Sequence, residues 1–121
     1  MRLCVSPRSW RIRAQDILNA ISEIEVFISE HKTQESFLID TKAVRAVTGC
    51  LIVIGEAANH LPQGLKEKYS EIRWDQIRGM RNRLTHEYFS VDDSVIWKTA
   101  KTRLPIFKVQ IQKMLDQDKE Q

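Results

Sequence analysis

Residues 81 to 88 read Arg81-Asn82-Arg83-Leu84-Thr85-His86-Glu87-Tyr88, a set of side chains suited to cutting a phosphodiester. Cleavage in which the RNA's own 2′-hydroxyl attacks the neighbouring phosphorus needs one group to take the hydroxyl proton and another to protonate the departing 5′-oxygen. It also needs positive charge on the phosphorane. Imidazole titrates near neutrality, so His86 suits either proton transfer. A guanidinium stays charged and offers paired N–H donors to phosphate oxygens, which suits Arg81 to charge stabilisation. Asn82 can orient the imidazole or the scissile phosphate. This chemistry calls for no metal and no cofactor.

The spacing by itself is weak. Ten Arg and three His in 121 residues would place an Arg four to six positions before a His about 0.7 times by chance. On one regular helix a step of five residues turns roughly 140°, so Arg81 and His86 do not share a face, whereas Asn82 and His86 do. Their convergence would need the reach of the Arg side chain, an unwound helix end near His86, or a second subunit. Arg78 and Arg83 are further candidates for RNA contact. Glu56, a carboxylate in an apolar helix, reads as a structural ion pair to an Arg, with a place in the active-site layer left open. His31 and His60 read as surface residues, and Trp10, Trp74 and Trp97 as core or interface aromatics.

These residues must be positioned by helices. Ser6-Pro7 reads as a cap and first turn, and Ala14, Ile17, Leu18, Ile21, Ile24 and Ile28 then recur at spacings of three and four, predicting a helix from about Pro7 to Ser29. Ser36 to Ile39 predicts a short turn, and Asp40 caps a second long helix carrying Val47, Cys50, Leu51, Ile54, Ala58 and Leu61. Gly49 and Gly55 lie inside it, and close approach of a neighbouring helix is the reason expected for both. A short helix near Leu65 to Tyr69 precedes a third long one from Asp75 to about His86. A last helix runs from Ser94 towards Leu115, with a kink or break near Thr102 because of Pro105. The tail from Asp116 is expected to fray. No alternating strand pattern, repeat or low-complexity segment is present. The fold class expected is all-α, an antiparallel bundle of four to five helices.

Length bounds the rest. One domain over 1–121 is expected, with a basic N-terminal arm (1–9) and a polar tail (116–121). The 19 Lys and Arg against 16 Asp and Glu permit a polyanionic partner without demanding one. Two basic clusters stand out: Arg2, Arg8, Arg11 and Arg13, then Arg73, Arg78, Arg81 and Arg83. Cys4 and Cys50 suggest neither a disulfide framework nor a zinc site, which fits a cytoplasmic location. The apolar run Cys50 to Ile54 is far short of the ~20 residues of a membrane span, and Met1 to Trp10 lacks a signal-peptide core.

The motif supplies what the spacing does not. Gly79 to Phe89, followed by Val91-Asp92, Ile96-Trp97 and Leu104-Pro105, resembles the signature of HepT-like proteins in the HEPN superfamily. Ile54-Gly55-Glu56-Ala57-Ala58 with Leu61-Pro62, and the helix from Trp10 to Ile24, resemble the same family at matching places. The family pattern of Arg, a polar residue, three residues, His, one residue and Tyr falls on Arg81, Asn82, His86 and Tyr88. The resemblance implies a helical HEPN-like fold and metal-independent RNA cleavage by Arg81 and His86. It further implies a homodimer with the active site at the dimer cleft. It also implies a toxin–antitoxin pairing with an MntA-type nucleotidyltransferase that neutralises the toxin by AMPylation of Tyr88. The alternative is a non-catalytic helical binding subunit of a nucleotidyltransferase complex, as in relatives that have lost the motif.

Overall fold

An apolar stripe repeating every three and four residues has to leave water, and α1 (Trp10–Ser29) does so along its whole length: Ala14, Ile17, Leu18, Ile21, Ile24 and Ile28 are all buried. The computed structural model describes residues 9–118. Ser6 and Pro7, expected to open this helix, lie outside the described residues, as do Arg2, Cys4, Arg8 and residues 119–121. Within them Ser9 caps α1, its hydroxyl accepting the Arg11 N–H at 3.1 Å.

The short α2 (Gln34–Leu38) follows, capped by Thr33, and then α3 (Thr41–Asn59), whose N-cap is Asp40 as expected. The Asp40 carboxylate accepts the Ala43 N–H at 3.1 Å and sits 3.0 Å from His31 Nε2. The Ala43 amide, and secondly His31, hold that carboxyl below the usual carboxylate range. His31 is therefore not the surface residue expected. Its side chain is one-tenth exposed, its Nδ1 pairs with the Ser36 hydroxyl, and its edge meets Phe37. His60 is exposed.

Next come α4 (Gln63–Lys68), α5 (Trp74–His86), a 3₁₀ turn (Tyr88–Ser90) and α6 (Asp93–Lys98). The chain continues through a π turn (Thr99–Arg103) into α7 (Leu104–Gln117). Pro105 cannot donate to the turn before it and would crowd that turn's carbonyl. The wider π turn, in which the Leu104 N–H bonds the Thr99 carbonyl, lets the helix pass that point. The expected kink thus takes the form of a π turn.

The start of the tail, up to Asp118, differs from expectation as well. α7 runs on to Gln117 and its end is tied down: the Arg11 guanidinium donates to the carbonyls of Leu115 (3.1 Å) and Asp118 (2.8 Å). Lys68 pairs with the Asp118 carboxylate at 2.8 Å. A cation on the last carbonyls of a helix satisfies groups that have no partner inside it. Arg11 is committed to the fold and leaves the N-terminal basic cluster.

α1 packs along α3, α3 against α5, and α1 against α7. Trp74 at the start of α5 meets Phe107 of α7 edge-on, closing the bundle. The Trp74 indole N–H also reaches the carbonyls of Lys66 and Tyr69, both at 3.2 Å, which fixes where α5 begins. α2 and α6 close one end, with Phe37 stacked obliquely on Trp97. Among the described residues there is no strand, and the long rods α1, α3, α5 and α6–α7 form the expected all-helical bundle. No described helix is long and apolar enough to cross a membrane.

The two glycines of α3 have different reasons. A Cβ at Gly55 would lie 2.3 Å from Arg81 Cβ and 2.7 Å from Arg81 Cγ, so α5 approaches α3 there because no side chain intervenes. A Cβ at Gly49 meets nothing within 4 Å, and no neighbouring helix accounts for that glycine. Opposite effects follow. Gly55→Ala forces α5 outward and should cost about 1–3 kcal/mol, whereas Gly49→Ala should gain up to about 1 kcal/mol of helix propensity. Urea unfolding of both variants checks this, and a Gly55→Ala protein as stable as the parent would contradict the packing.

Candidate active site

Gly55 and Glu56 are consecutive, so the turn of α3 that admits α5 also offers a carboxylate one residue on. The β and γ carbons of Arg81 fill the space over Gly55, and the guanidinium lies against Glu56. Arg81 Nε donates to Glu56 Oε2 at 2.9 Å and Nη2 donates to the same oxygen. Nη1 donates to Asn82 Oδ1 at 2.8 Å. Three of the five guanidinium N–H groups are used in this way, which leaves one on each terminal nitrogen for an anion. The Glu56 ion pair expected from sequence is present, and its partner is Arg81.

The pair is only partly shielded, with 24 % of the Arg81 side chain and 45 % of Glu56 exposed. At that exposure an ion pair contributes about 0–1 kcal/mol to stability. Its larger effect is geometric: it fixes a long, otherwise mobile cation in one orientation.

Asn82 is exposed and its carbonyl oxygen is turned to Arg81, so its amide N–H groups remain free to donate outward. It does not hold the imidazole. His86, the last residue of α5, is exposed, and its imidazole makes no hydrogen bond or ion pair with any described residue. Immediately after it Glu87 leaves helical geometry (φ −136°, ψ 31°), and the Glu87 N–H closes on the Arg83 carbonyl at 2.8 Å. The helix end expected near His86 exists. It does not bring His86 to Arg81, because α5 stays regular from one to the other and their side chains leave it roughly 140° apart. Thr85, between them, turns its hydroxyl back on the carbonyls of Arg81 and Asn82.

Tyr88 opens the 3₁₀ turn and is half-buried against the core. Its hydroxyl has no partner in the described chain, yet no buried side-chain polar atom there lacks one, so the hydroxyl meets solvent. Phe89 follows, 100 % exposed, its ring edge-on to Tyr88 at 5.6 Å. Sequence reasoning assigned Phe89 no role. The available signal was an aromatic placed in a turn directly after the motif.

The second basic cluster is divided by the fold. Arg73 pairs with Asp75 at 3.2 Å and Arg81 with Glu56, while Arg78 and Arg83 are exposed and make no ion pair among the described residues. Lys66 of α4 lies over the Trp74 ring, and burial, with the Arg78 charge second, pushes its pKa down. Positive charge therefore continues from Arg81 towards the start of α5. A groove of 650 Å³ between α1 and α3, lined by Glu23, Phe27, Arg45 and Cys50 among others, contains none of the motif residues. Burial and the neighbouring Glu23 push the Cys50 thiol up to about 11, so it is no nucleophile at neutral pH. Among the described residues no group of three His, Cys, Asp or Glu is placed to hold a metal.

The chain can now be set beside known proteins. The profile of the Ribonuclease HepT-like family matches residues 17–114. A protein of Thermococcus cleftensis named "Probable ribonuclease HepT" is 40% identical over 107 residues, covering 88% of this chain and 96% of that one. Two proteins carrying the name "Putative RNase" are comparably similar. One from Methanocaldococcus jannaschii is 39% identical over 83% of this chain and 85% of its own. One from Caldanaerobacter subterraneus is 37% identical over 82% and 90%. No solved structure matches the chain.

Proposed function

The chain belongs to the HepT-like ribonuclease family, and from that premise we propose that it is a metal-independent endoribonuclease acting through Arg81 and His86. The 2′-oxygen forms a bond to phosphorus as its proton passes to an imidazole. The bond from phosphorus to the 5′-oxygen breaks, and that oxygen takes a proton from a second acid. The products are a 2′,3′-cyclic phosphate and a 5′-hydroxyl. Arg81 carries the phosphorane's charge through the two N–H groups that Glu56 and Asn82 leave free, while Asn82 donates its amide to a non-bridging oxygen.

The observation that carries this reading is the divided state of the site. A guanidinium is locked in place by Glu56 and Asn82, and an unpartnered imidazole stands on another side of the same helix. One chain therefore offers two half-sites. In a homodimer that faces two copies of the motif across one cleft, Arg81 of one protomer meets His86 of the partner subunit, and the two imidazoles can serve as base and acid. Arg78 and Arg83, free of acidic partners, contact flanking phosphates.

Tyr88 is the off switch of this proposal, within a toxin–antitoxin pair. Its solvent-facing phenol attacks the α-phosphorus of ATP on an MntA-type nucleotidyltransferase, pyrophosphate leaves, and AMP stays on the tyrosine. The added phosphate would compete with RNA for the cations of the site.

Purified protein is expected to cleave RNA in EDTA. His86→Ala and Arg81→Ala should each lower the rate by at least ~100-fold with the fold intact by circular dichroism. Unchanged cleavage in both variants, or 3′-hydroxyl ends on the products, would overturn the mechanism, and no cleavage by the parent protein would favour a binding subunit. Incubation with the cognate transferase and ATP should add the mass of one AMP to the parent and none to Tyr88→Phe. An increase retained in Tyr88→Phe rejects Tyr88 as the target.

A further inference from the structure

Phe89 is the one aromatic side chain among the described residues that is completely exposed, and it stands three positions beyond His86. Ile39 is the next most exposed large apolar residue, at the far side of the sequence from the motif. A phenyl ring left wholly in water contributes nothing to the core, and its burial by a partner would be favourable. The backbone that carries the ring is held at both ends. It follows the half-buried Tyr88 in a 3₁₀ turn closed by the Ser90 N–H on the Glu87 carbonyl (2.9 Å) and the Val91 N–H on Tyr88 (3.0 Å). Val91 is buried and Asp92 caps α6, so both ends of the turn are anchored. Tyr88 and Phe89 meet in a T-shaped pair at 64°, and at 100 % exposure the Phe89 ring stays open to a further partner.

We infer that Phe89 is a stacking platform for an unpaired RNA base next to the scissile phosphate, and that the enzyme's substrate is single-stranded or looped RNA. The inference rests on the ribonuclease reading above and adds a substrate class to it. Every base has a π face, so a lone exposed ring binds bases without reading sequence. A base in an A-form duplex is already stacked on both sides and cannot reach the ring, so duplex RNA gains nothing from it. The exposed Arg83 supplies the matching phosphate contact on the last turn of α5. A second copy of the chain is the other possible occupant. Duplex and single-stranded RNA would then respond alike.

The test uses the full chain in a His86→Ala background, so that binding is read without cleavage, with a labelled oligouridylate and a labelled blunt duplex as probes. Phe89→Ala and Phe89→Leu should weaken oligouridylate binding about ten-fold, Phe89→Trp should restore it, and duplex binding should stay the same in all of them. The ring supports no core contact, so these variants fold. Equal oligouridylate affinity in Phe89→Ala and its parent overturns the inference, and so does a loss in Phe89→Ala that is accompanied by a halved mass in light scattering. The wild-type cleavage assay separates the two levels: cleavage with no effect of Phe89 removes the platform alone. Absence of both cleavage and RNA binding removes the ribonuclease reading with it.

Discussion

Arg81 lies on the bare backbone of Gly55 with its guanidinium against Glu56, and the geometry of the motif follows from that seat. α5 approaches α3 where no Cβ intervenes, and the burial of Leu84 and Ile72 against the bundle holds the helix there. Burial is the source of stability. The ion pair, half open to water, adds little to it. What Glu56 contributes is direction: a flexible cation acquires one orientation, with two donors still pointing away from the carboxylate. A preorganised charge of this kind need not be rearranged when a phosphorane forms.

The same seat denies Arg81 to His86. Fixing Arg81 towards α3 commits its reach, and the regular turns between the two residues place His86 on another side of α5. The helix ends at His86, where a 3₁₀ turn presents Tyr88 and Phe89 side by side, one half-buried and one wholly exposed. Within a few residues the chain thus offers an imidazole without a partner, a phenol hydroxyl in solvent and an uncovered ring. All three are unfinished in one copy of the chain, and a different partner is proposed for each: a second protomer, a transferase and an RNA base.

Much of the fold is legible in the sequence because burial imposes a period. The α1 stripe from Ala14 to Ile28 is buried residue by residue, and Asp40 caps α3 where a polar residue precedes an apolar repeat. Pro105 marks the irregularity in the last helix, although a proline cannot say whether the chain breaks or widens into a π turn. Contacts between distant segments were harder to read. Gly49 and Gly55 look identical in sequence and differ only in what lies opposite. His31 is drawn inward by Ser36 and Asp40 from a loop with no period, and Arg11 is claimed by the end of α7, 104 residues away. At the site, the motif residues were legible through family resemblance and Glu56 as the partner of some Arg. Sequence did not reveal which Arg, or that Asn82 faces Arg81 and not His86.

The central claim is that Arg81 and His86 work together only across two copies of the chain. Mixing inactive Arg81→Ala and inactive His86→Ala proteins, allowing subunit exchange and isolating the mixed dimers by differential tags tests it most directly. Each mixed dimer keeps one intact Arg81 facing one intact His86 in the partner subunit but only one of the two imidazoles, so the account predicts RNA cleavage above that of either parent and below that of the wild type. Mixed dimers as inactive as their parents would contradict it.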